Sequence, residues 1–232
     1  MEKPGSRTLW VTFCGLAQLF LCSPARGEGG AAAQSVATPA AVDGVRRVVL
    51  VHGIYDRYVG NMQEMLSRKG WELFTVRLKP NDGSVGFEVM AGQLEAFVNA
   101  NVPAGEKFDL VGFSMGGLVC RYYIQKMGGY LRVRRFVTLS TPNHGTLWAC
   151  LSGRAGVKQM RPGSEMLREL NGDVSKLGAL DYTSIYTPLD LTIVPATSSR
   201  LEGAHNVVVW VPLHPLMVWM RGPLRAVEGA LE

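Results

Sequence analysis

A predicted strand passes directly into a predicted helix in this chain, with a serine between two glycines at the junction. The apolar run KFDLVGFS (107–114) is typical of a strand, and apolar residues recur at helical spacing from Leu118 to Met127. So abrupt a change of direction needs a sharp turn, and the residue at such a turn is held in an unusual backbone conformation. The side chain of Ser114 is therefore expected to project above the end of the strand.

Strands and helices alternate along most of the remaining chain. Further apolar runs predict strands at 46–53, 71–78, 133–142, within 181–190, and at 206–212, and helical spacing is found in 61–70, 87–97, 163–171 and 215–231. Ser164 is the expected N-cap of the third of these helices, and Gly222-Pro223 is expected to interrupt the last. This alternation implies parallel strands joined by right-handed crossovers. The chain is therefore predicted to be an α/β protein, a three-layer α/β/α sandwich with about six mostly parallel strands.

Composition limits the number of domains and the classes of partner. With 232 residues, of which 47% are hydrophobic, the chain can build one large core but not two domains of ordinary size. The formal net charge is +5, yet Lys and Arg are scattered and form no long basic run. Nucleic-acid binding is therefore not expected, and no obligate protein partner is inferred. Cys and His show no metal-ligand spacing, so neither a metal nor a cofactor is expected.

The first 25 residues have the pattern of a secretory signal. Lys3 and Arg7 give a positive start, and the apolar run 9–22 is short for a membrane helix. Small residues follow, and cleavage is expected after Ala25. This pattern predicts a secreted or periplasmic protein. Residues 26–44, rich in Gly, Ala and Ser, are then expected to form a flexible leader.

Residues 45–232 are predicted to form the folded domain. Within it, residues 143–180 are the least regular, and any small lid or cap is expected there. Removal of the signal leaves Cys120 and Cys150. These two residues can pair in an exported protein, and a buried free thiol at Cys120 is the alternative.

Ser114 is a candidate nucleophile. The junction places its hydroxyl at a helix N-terminus, where free N–H groups and the helix dipole favour developing negative charge. Gly112 and Gly116 are expected to be needed there, because a β-carbon at either position would collide with the neighbouring strand or helix. The alternative interpretation is a tight turn with an idle hydroxyl. A serine nucleophile at neutral pH also needs a base.

Four histidines are candidates for that base: His52, His144, His205 and His214. His52 ends the first strand and is expected to shape the turn, and His144 follows the fourth strand. His205 precedes the sixth strand and should lie at the amino edge of the sheet. His214 follows that strand, at the carboxyl edge shared with Ser114, where open α/β sheets bind ligands. His214 is therefore the predicted base, the alternative being a surface-loop histidine.

Asp190 is the predicted acid that orients the base, because it follows the fifth strand, whereas Asp173 and Asp181 precede it. The chain order Ser, Asp, His is that of α/β-hydrolases. A simple turn residue at Asp190 is the alternative. An oxyanion needs N–H donors, and the backbone of Met115, after the nucleophile, and of Ile54, after the first strand, is expected to supply them.

Six separated segments, taken in order, resemble the small secreted bacterial lipases and esterases of the α/β-hydrolase superfamily. They are VLVHGIYD, DLVGFSMGGLVCRYY, FVTLSTPNHGT, MRPGSEMLRELN, TSIYTPLDLTIVPATSSRLEGAHN and VPLHPLM. The resemblance covers about residues 46–220 and implies a Ser114–Asp190–His214 triad, oxyanion donors at Ile54 and Met115, and carboxylic ester hydrolysis. Two early antiparallel strands common in larger members have no obvious room here, and no acidic cluster matches the calcium site of many such enzymes.

The predicted function is a secreted serine ester hydrolase, a triacylglycerol lipase-like enzyme that releases fatty acids from acylglycerols. Apolar residues flank His214 and follow the fourth strand, which favours lipid substrates and transient contact with a lipid–water interface. Ordinary core packing is the alternative reading of those residues. The alternative functions are a short-chain carboxylesterase, an acyltransferase or thioesterase with the same triad, and a non-catalytic binding module on a hydrolase scaffold.

Overall fold

A sheet of six parallel strands forms the centre of the domain. The computed structural model describes residues 45–56 and 59–232. The strands are β1 (Arg47–Val51), β2 (Glu72–Val76), β3 (Phe108–Phe113), β4 (Val133–Leu139), β5 (Asp181–Tyr186) and β6 (His205–Val208). Their order across the sheet is β2-β1-β3-β4-β5-β6, so β2 and β6 are the edge strands. The predicted α/β class and strand number are confirmed.

Helices cover both faces of this sheet. They are α1 (Met62–Arg68), α2 (Phe87–Asn101), α3 (Met115–Lys126), α4 (Ala155–Gln159), α5 (Glu165–Gly172), α6 (Ser175–Gly178) and α7 (Arg221–Leu231). Helices α2 and α3 pack against each other, whereas α7 packs on β4 and β5 and contacts α1. The result is the predicted three-layer sandwich.

The burial of β1 shows why the sequences of the central strands are continuous apolar runs. Val48 and Leu50 belong to one core cluster with residues of α1 and α7. Val49 and Val51 alternate with them and are equally inaccessible, each with 0% exposure. Since both faces of the strand are covered, every position favours an apolar side chain. Each such burial stabilises the fold by about 1.5–3 kcal/mol.

Two boundaries near the C-terminus differ from the sequence-based expectation. Strand β6 ends at Val208, because the chain beyond it leaves the regular ladder: the Val211 N–H donates to the Thr187 hydroxyl at 3.2 Å instead of to a strand carbonyl. The expected helix interruption at Gly222-Pro223 is wrong. Helix α7 begins at Arg221, so Pro223 lies in its first turn, where a missing N–H breaks no helical hydrogen bond.

The structure tests only some of the expectations about the N-terminal segments and the cysteines. The signal segment 1–25 and the leader 26–44 lie outside the described residues. Within 45–56 and 59–232, no helix is long and apolar enough to cross a membrane. Cys120 is buried, Cys150 is exposed, and both are free thiols, so the alternative of a buried free thiol at Cys120 is the one observed.

Candidate active site

Ser114 occupies the turn between β3 and α3 in a strained backbone conformation. Its φ is 54° and its ψ is −123°, a combination that L-residues rarely adopt. The turn is fixed from outside because the Ser114 N–H donates to the Leu139 carbonyl of β4 at 2.8 Å. The side chain is thereby held above the carboxyl end of the sheet, at the N-terminus of α3.

The glycines on either side of Ser114 are required by close backbone contacts. A β-carbon on Gly112 would lie 2.5 Å from the Cα of Gly117, and one on Gly116 would lie 2.4 Å from the carbonyl oxygen of His52. Both distances are far shorter than van der Waals contact, and the colliding atoms belong to backbone that cannot move aside. The expectation that Gly112 and Gly116 leave room for the turn is confirmed.

Asp190 and His214 are hydrogen-bonded at the same edge of the sheet. Nδ1 of His214 lies 2.7 Å from Oδ2 of Asp190, and since the carboxylate is the acceptor, Nδ1 carries the proton. The other carboxylate oxygen accepts the N–H groups of Thr192 and Ile193, each at 2.9 Å. Asp190 is therefore fixed on both oxygens, and it fixes the orientation and tautomer of the imidazole.

The surroundings of Asp190 keep its carboxyl group ionised. Burial by itself raises the pKa of Asp190, but the neighbouring His214 and the N–H group of Ile193 outweigh it, and the net pKa is lowered. The carboxylate is therefore negatively charged at neutral pH. Such a charge stabilises the imidazolium that His214 becomes when it accepts a proton.

Phe113, the residue before Ser114, packs against His214. The ring centroids of Phe113 and His214 are 4.9 Å apart. Among the described residues, the Ser114 hydroxyl makes no hydrogen bond to the imidazole, so the structure shows a direct contact between Asp190 and His214 and places Ser114 at the same edge of the sheet. Hydrogen bonds of this kind often tighten only when substrate is bound.

The two predicted oxyanion donors face no competing acceptor in the described part of the chain. The Met115 N–H lies in the first turn of α3, where helices leave N–H groups unpaired, and the Ile54 N–H likewise has no partner there. The peptide that carries the Ile54 N–H is held by His52, whose Nδ1 lies 2.9 Å from the Gly53 carbonyl oxygen.

His52 acts as a neutral clamp on this loop. Its Nε2 accepts the N–H of Leu78 at 3.2 Å, which an imidazolium cannot do. Burial is the main cause that lowers the pKa of His52, so the neutral form persists. Its interactions agree with the expectation that His52 shapes the turn after β1.

The remaining histidines lie elsewhere. His205 is the exposed first residue of β6, at the amino edge of the sheet, as expected. His144 is exposed, and its Nδ1 lies 3.2 Å from Nδ2 of Asn171. Burial and the nearby Arg121 lower the pKa of His144. In the described residues, no group of three or more His, Cys, Asp or Glu side chains is arranged to hold a metal ion.

Asp56 is a residue of this site that the sequence reasoning missed. A β-carbon on Gly53 would lie 2.9 Å from Oδ2 of Asp56 and 3.2 Å from Cβ of Ser114, so the Asp56 carboxylate and Ser114 border the same space above Gly53. Desolvation raises the pKa of Asp56 to about 6, although His214 acts in the opposite direction. The signal available in the sequence was a lone carboxylate two positions after Ile54, in the loop that follows the first strand.

Solved structures of two lipases and of one further bacterial protein have the same fold. The mature lipase BlEst2 of Bacillus licheniformis superposes with a TM-score of 0.65 at 18% identity, covering 85% of this chain and 96% of that one. The ydeN gene product of B. subtilis gives a TM-score of 0.58 at 14% identity, with coverages of 80% and 98%. Lipase B of Aspergillus fumigatus gives 0.58 at 17% identity, covering 72% of this chain but 44% of that one.

A sequence-family model points to a more specific group. The model described as palmitoyl protein thioesterase matches residues 47–175, more than half of the chain. The matched region runs from β1 to the start of α6 and contains Ser114, whereas Asp190 and His214 lie beyond it. The two lipases share the fold of this chain, and the match to the family model shows that the chain belongs to the palmitoyl protein thioesterase family.

Proposed function

We propose that this protein is a secreted serine hydrolase that releases fatty acids from long-chain acyl esters through an acyl-enzyme. The observation that carries the proposal is the 2.7 Å contact between Asp190 and His214 at the sheet edge where the strained turn presents Ser114. Each of the three side chains follows a different strand, β3, β5 or β6. Serine, aspartate and histidine side chains at one sheet edge, in this chain order, support activation of the serine hydroxyl.

In the proposed first half-reaction, Oγ of Ser114 attacks the carbonyl carbon of the substrate, and Nε2 of His214 accepts the hydroxyl proton. Asp190 stabilises the resulting imidazolium, and the N–H groups of Ile54 and Met115 stabilise the oxyanion. When the tetrahedral intermediate collapses, the bond to the leaving group breaks and His214 protonates the departing oxygen or sulfur.

In the second half-reaction, His214 takes a proton from a water molecule, and the resulting hydroxide attacks the acyl carbonyl. Collapse of the second intermediate returns the proton to Ser114 and frees the carboxylic acid. The same two N–H donors serve both intermediates, because the oxyanion forms in the same place.

Exposed leucines near the site support an apolar substrate. The turn Leu147–Leu151 exposes a leucine at each end, by 56% and 52%, and Leu191, just after Asp190, is 58% exposed. The indole N–H of Trp148 donates to the Leu191 carbonyl at 2.7 Å, so these two loops adjoin. Leu213, next to His214, is also exposed. Apolar surface beside a catalytic edge favours substrates with long acyl chains.

A thioesterase that removes long acyl chains from a thiol is the second candidate, because the matching family model carries that description. The proposed chemistry changes little, since a thiolate leaves in place of an alkoxide and is the better leaving group. The two candidates therefore differ in how the leaving group is recognised.

A matched set of substrates separates these functions. We expect the purified mature protein to hydrolyse nitrophenyl palmitate faster than nitrophenyl butyrate, and Ser114→Ala to hydrolyse neither. A palmitoyl thioester that is cleaved faster than the matched oxoester would select the thioesterase. Activity confined to butyrate would leave a short-chain esterase, and transfer of palmitate to added alcohols in preference to water would indicate an acyltransferase. Absence of turnover and of labelling of Ser114 by an organophosphonate would overturn the proposal.

The proposal includes export and processing of the chain. Expression of the full sequence is expected to yield a protein whose N-terminus is Arg26, because the apolar run ends in small residues at Ala25. N-terminal sequencing of the secreted or periplasmic fraction tests this, with Ala25→Arg as the control that should retain the leader. An uncleaved intracellular product would contradict it.

A further inference from the structure

The carboxylate of Asp56 takes no part in the mechanism above, although it lies within the site. The backbone of Asp56 is well held: its N–H donates to the Gly53 carbonyl at 3.3 Å, and its own carbonyl accepts a hydrogen bond from the Asn81 side chain. Its carboxylate, in contrast, accepts no hydrogen bond from any residue that the structure describes. Partial desolvation of a half-buried carboxylate costs stability, so its position calls for another explanation.

The position of this carboxylate is defined by its neighbours. The space above Gly53 is bordered by Asp56, Phe113 and Ser114, since a β-carbon there would lie 2.9 Å from Asp56 Oδ2 and 3.2 Å from both Phe113 Cδ1 and Ser114 Cβ. The Phe113 ring in turn contacts the imidazole of His214. Asp56 therefore stands on the Ser114 side of the site, while Asp190 holds Nδ1 of His214.

Among residues 45–56 and 59–232, few charged or titratable groups lie around Asp56. His214 comes from the turn after β6 and is the group whose charge acts on Asp56. Asp190 follows β5 and is already bound to His214. His52 ends β1 and stays neutral between its two backbone partners. On the outer side, Arg154 binds the Tyr55 hydroxyl at 2.8 Å and is paired with Asp82.

We infer that Asp56 is a positioning residue, a second carboxylate whose negative charge favours the imidazolium form of His214 when Ser114 gives up its proton. This inference rests on the proposed acyl-enzyme function. A negative charge in this partly dry site stabilises a neighbouring imidazolium, so removal of the charge should make protonation of His214 less favourable. The same charge would repel the oxyanion, and hydrogen bonds from the N–H groups of Ile54 and Met115 offset that repulsion.

The cost to folding supports a role in function over one in structure. Because desolvation raises the pKa of Asp56 to about 6, its ionisation is less favourable in the folded state than in the unfolded chain. Folded-state stability is therefore lost as the pH rises from the ordinary aspartate value near 4 towards and past 6. Groups that are kept at such a cost beside a nucleophile are typical of functional sites.

The first test is the pH dependence of Asp56→Asn, with Asp181→Asn as a control. Asp181 is an exposed residue at the amino edge of the sheet, so its substitution makes the same charge change far along β5 from the site. We expect Asp56→Asn to lower the pKa of the acid limb of kcat/KM by about one unit, and to lower kcat/KM at pH 8 about tenfold. Asp56→Glu should restore part of both. The control should change neither.

The second test does not depend on activity. Histidine ring-proton NMR, assigned with His214→Ala, should show the pKa of His214 lower in Asp56→Asn than in the unaltered protein. Thermal unfolding should give a higher Tm for Asp56→Asn at pH 8 and an equal Tm at pH 4, because the neutral amide removes a penalty that exists only when Asp56 is ionised.

The outcomes separate this inference from the proposed function. If Ser114→Ala is inactive but Asp56→Asn leaves the His214 pKa unchanged, the inference is wrong and the function stands. An Asp56→Asn variant that is more active at pH 8 would also overturn it, because the charge would then oppose the oxyanion more than it assists the imidazolium. If Ser114→Ala retains activity, the proposed function fails, and the NMR result still decides whether the two groups interact.

Discussion

Two buried polar regions of this domain use their hydrogen-bonding groups in opposite ways. In the Arg121 cluster, formed by Arg121, Gln125 and Asn143, the guanidinium donates to Gln125 at 3.1 Å, to Asn143 at 3.3 Å and to the Leu170 carbonyl at 3.0 Å. Burial lowers the pKa of Arg121 to about 10, which leaves it charged at neutral pH. The cluster ties α3 to the segment between β4 and β5.

The site at the carboxyl edge leaves several polar groups open. Within the described residues, the Ser114 hydroxyl, the N–H groups of Ile54 and Met115, and the Asp56 carboxylate have no hydrogen-bond partner. Buried polar groups in proteins are normally paired, so open ones need a reason. The comparison teaches that a cluster with its hydrogen bonds satisfied holds elements of the fold together, whereas open polar groups are those that the proposed function assigns to substrate. Substitutions in the two regions should therefore affect different measurements.

The largest expected effect is on activity, in Ser114→Ala. Removal of the hydroxyl should lower kcat/KM by roughly 10⁴- to 10⁶-fold while leaving Tm nearly unchanged, because no described group loses a partner. Ester hydrolysis and thermal unfolding, measured on the same preparation, test this. Ser67→Ala, an exposed position on α1, should match the unaltered protein in both. A folded Ser114→Ala protein with ordinary activity would contradict the distinction between the Arg121 cluster and the site at the carboxyl edge.

Asp190→Asn should give the next largest loss. The amide cannot hold Nδ1 of His214 in the same tautomer, and kcat/KM should fall on the order of 10³- to 10⁴-fold. The substitution should also change acid stability. Because the pKa of Asp190 is lowered in the folded state, its charge stabilises the fold above about pH 4, and this contribution is lost as the pH falls below that value.

Steady-state kinetics and urea unfolding at pH 7 and pH 3 measure the two effects of Asp190→Asn. The variant should lose less stability between these pH values than the unaltered protein does. An equal loss would show that Asp190 does not contribute to the acid sensitivity of the fold.

Arg121→Met should lower the stability of the fold and change the activity little. It removes the donor to Oδ1 of Asn143 and to Oε1 of Gln125, whereas the Leu170 carbonyl keeps the Gln125 amide as a donor. We expect the free energy of unfolding to fall by about 3 kcal/mol. Activity per folded molecule should change less than about tenfold. Arg68→Met, an exposed control whose partner is Glu64, should cost below about 0.5 kcal/mol in urea unfolding. A stable but inactive Arg121→Met would make the cluster part of the site.

The smallest expected effect belongs to His205→Ala. This side chain is exposed at the amino edge of the sheet. The variant should therefore have the Tm of the unaltered protein and a kcat/KM within roughly twofold of it. Parallel assays with His214→Ala, which should lose most activity, complete the pair. A severe loss in His205→Ala combined with an active His214→Ala would contradict the assignment of the base.

Much of the fold could be predicted from local sequence patterns. Runs such as VVLV in β1 are apolar at every position because both faces are covered, and Ser164 caps α5 by accepting the Leu167 N–H as expected. The placement of Asp190 and His214 at one edge follows from parallel strands alone, since residues that follow strands share the carboxyl edge.

The features that could not be predicted depend on contacts between distant segments. The altered titration of Asp56 arises from desolvation in the assembled site, which no local pattern shows. Arg121 looks like a surface residue of an amphipathic helix until the Leu170 carbonyl is placed against it, 49 positions along the chain. The early end of β6 likewise depends on the Thr187 hydroxyl, which donates to the Val211 carbonyl at 2.7 Å.

The position of β6 at the edge of the sheet has a consequence for the thermal stability of the site. The imidazole follows a four-residue strand that is paired on one side alone, to β5, whereas the serine follows a strand in the interior. Edge strands separate from a sheet before interior strands do, because fewer hydrogen bonds must break. Heat inactivation should therefore begin below the temperature of global melting, as β6 detaches and carries its histidine away from an otherwise intact serine turn.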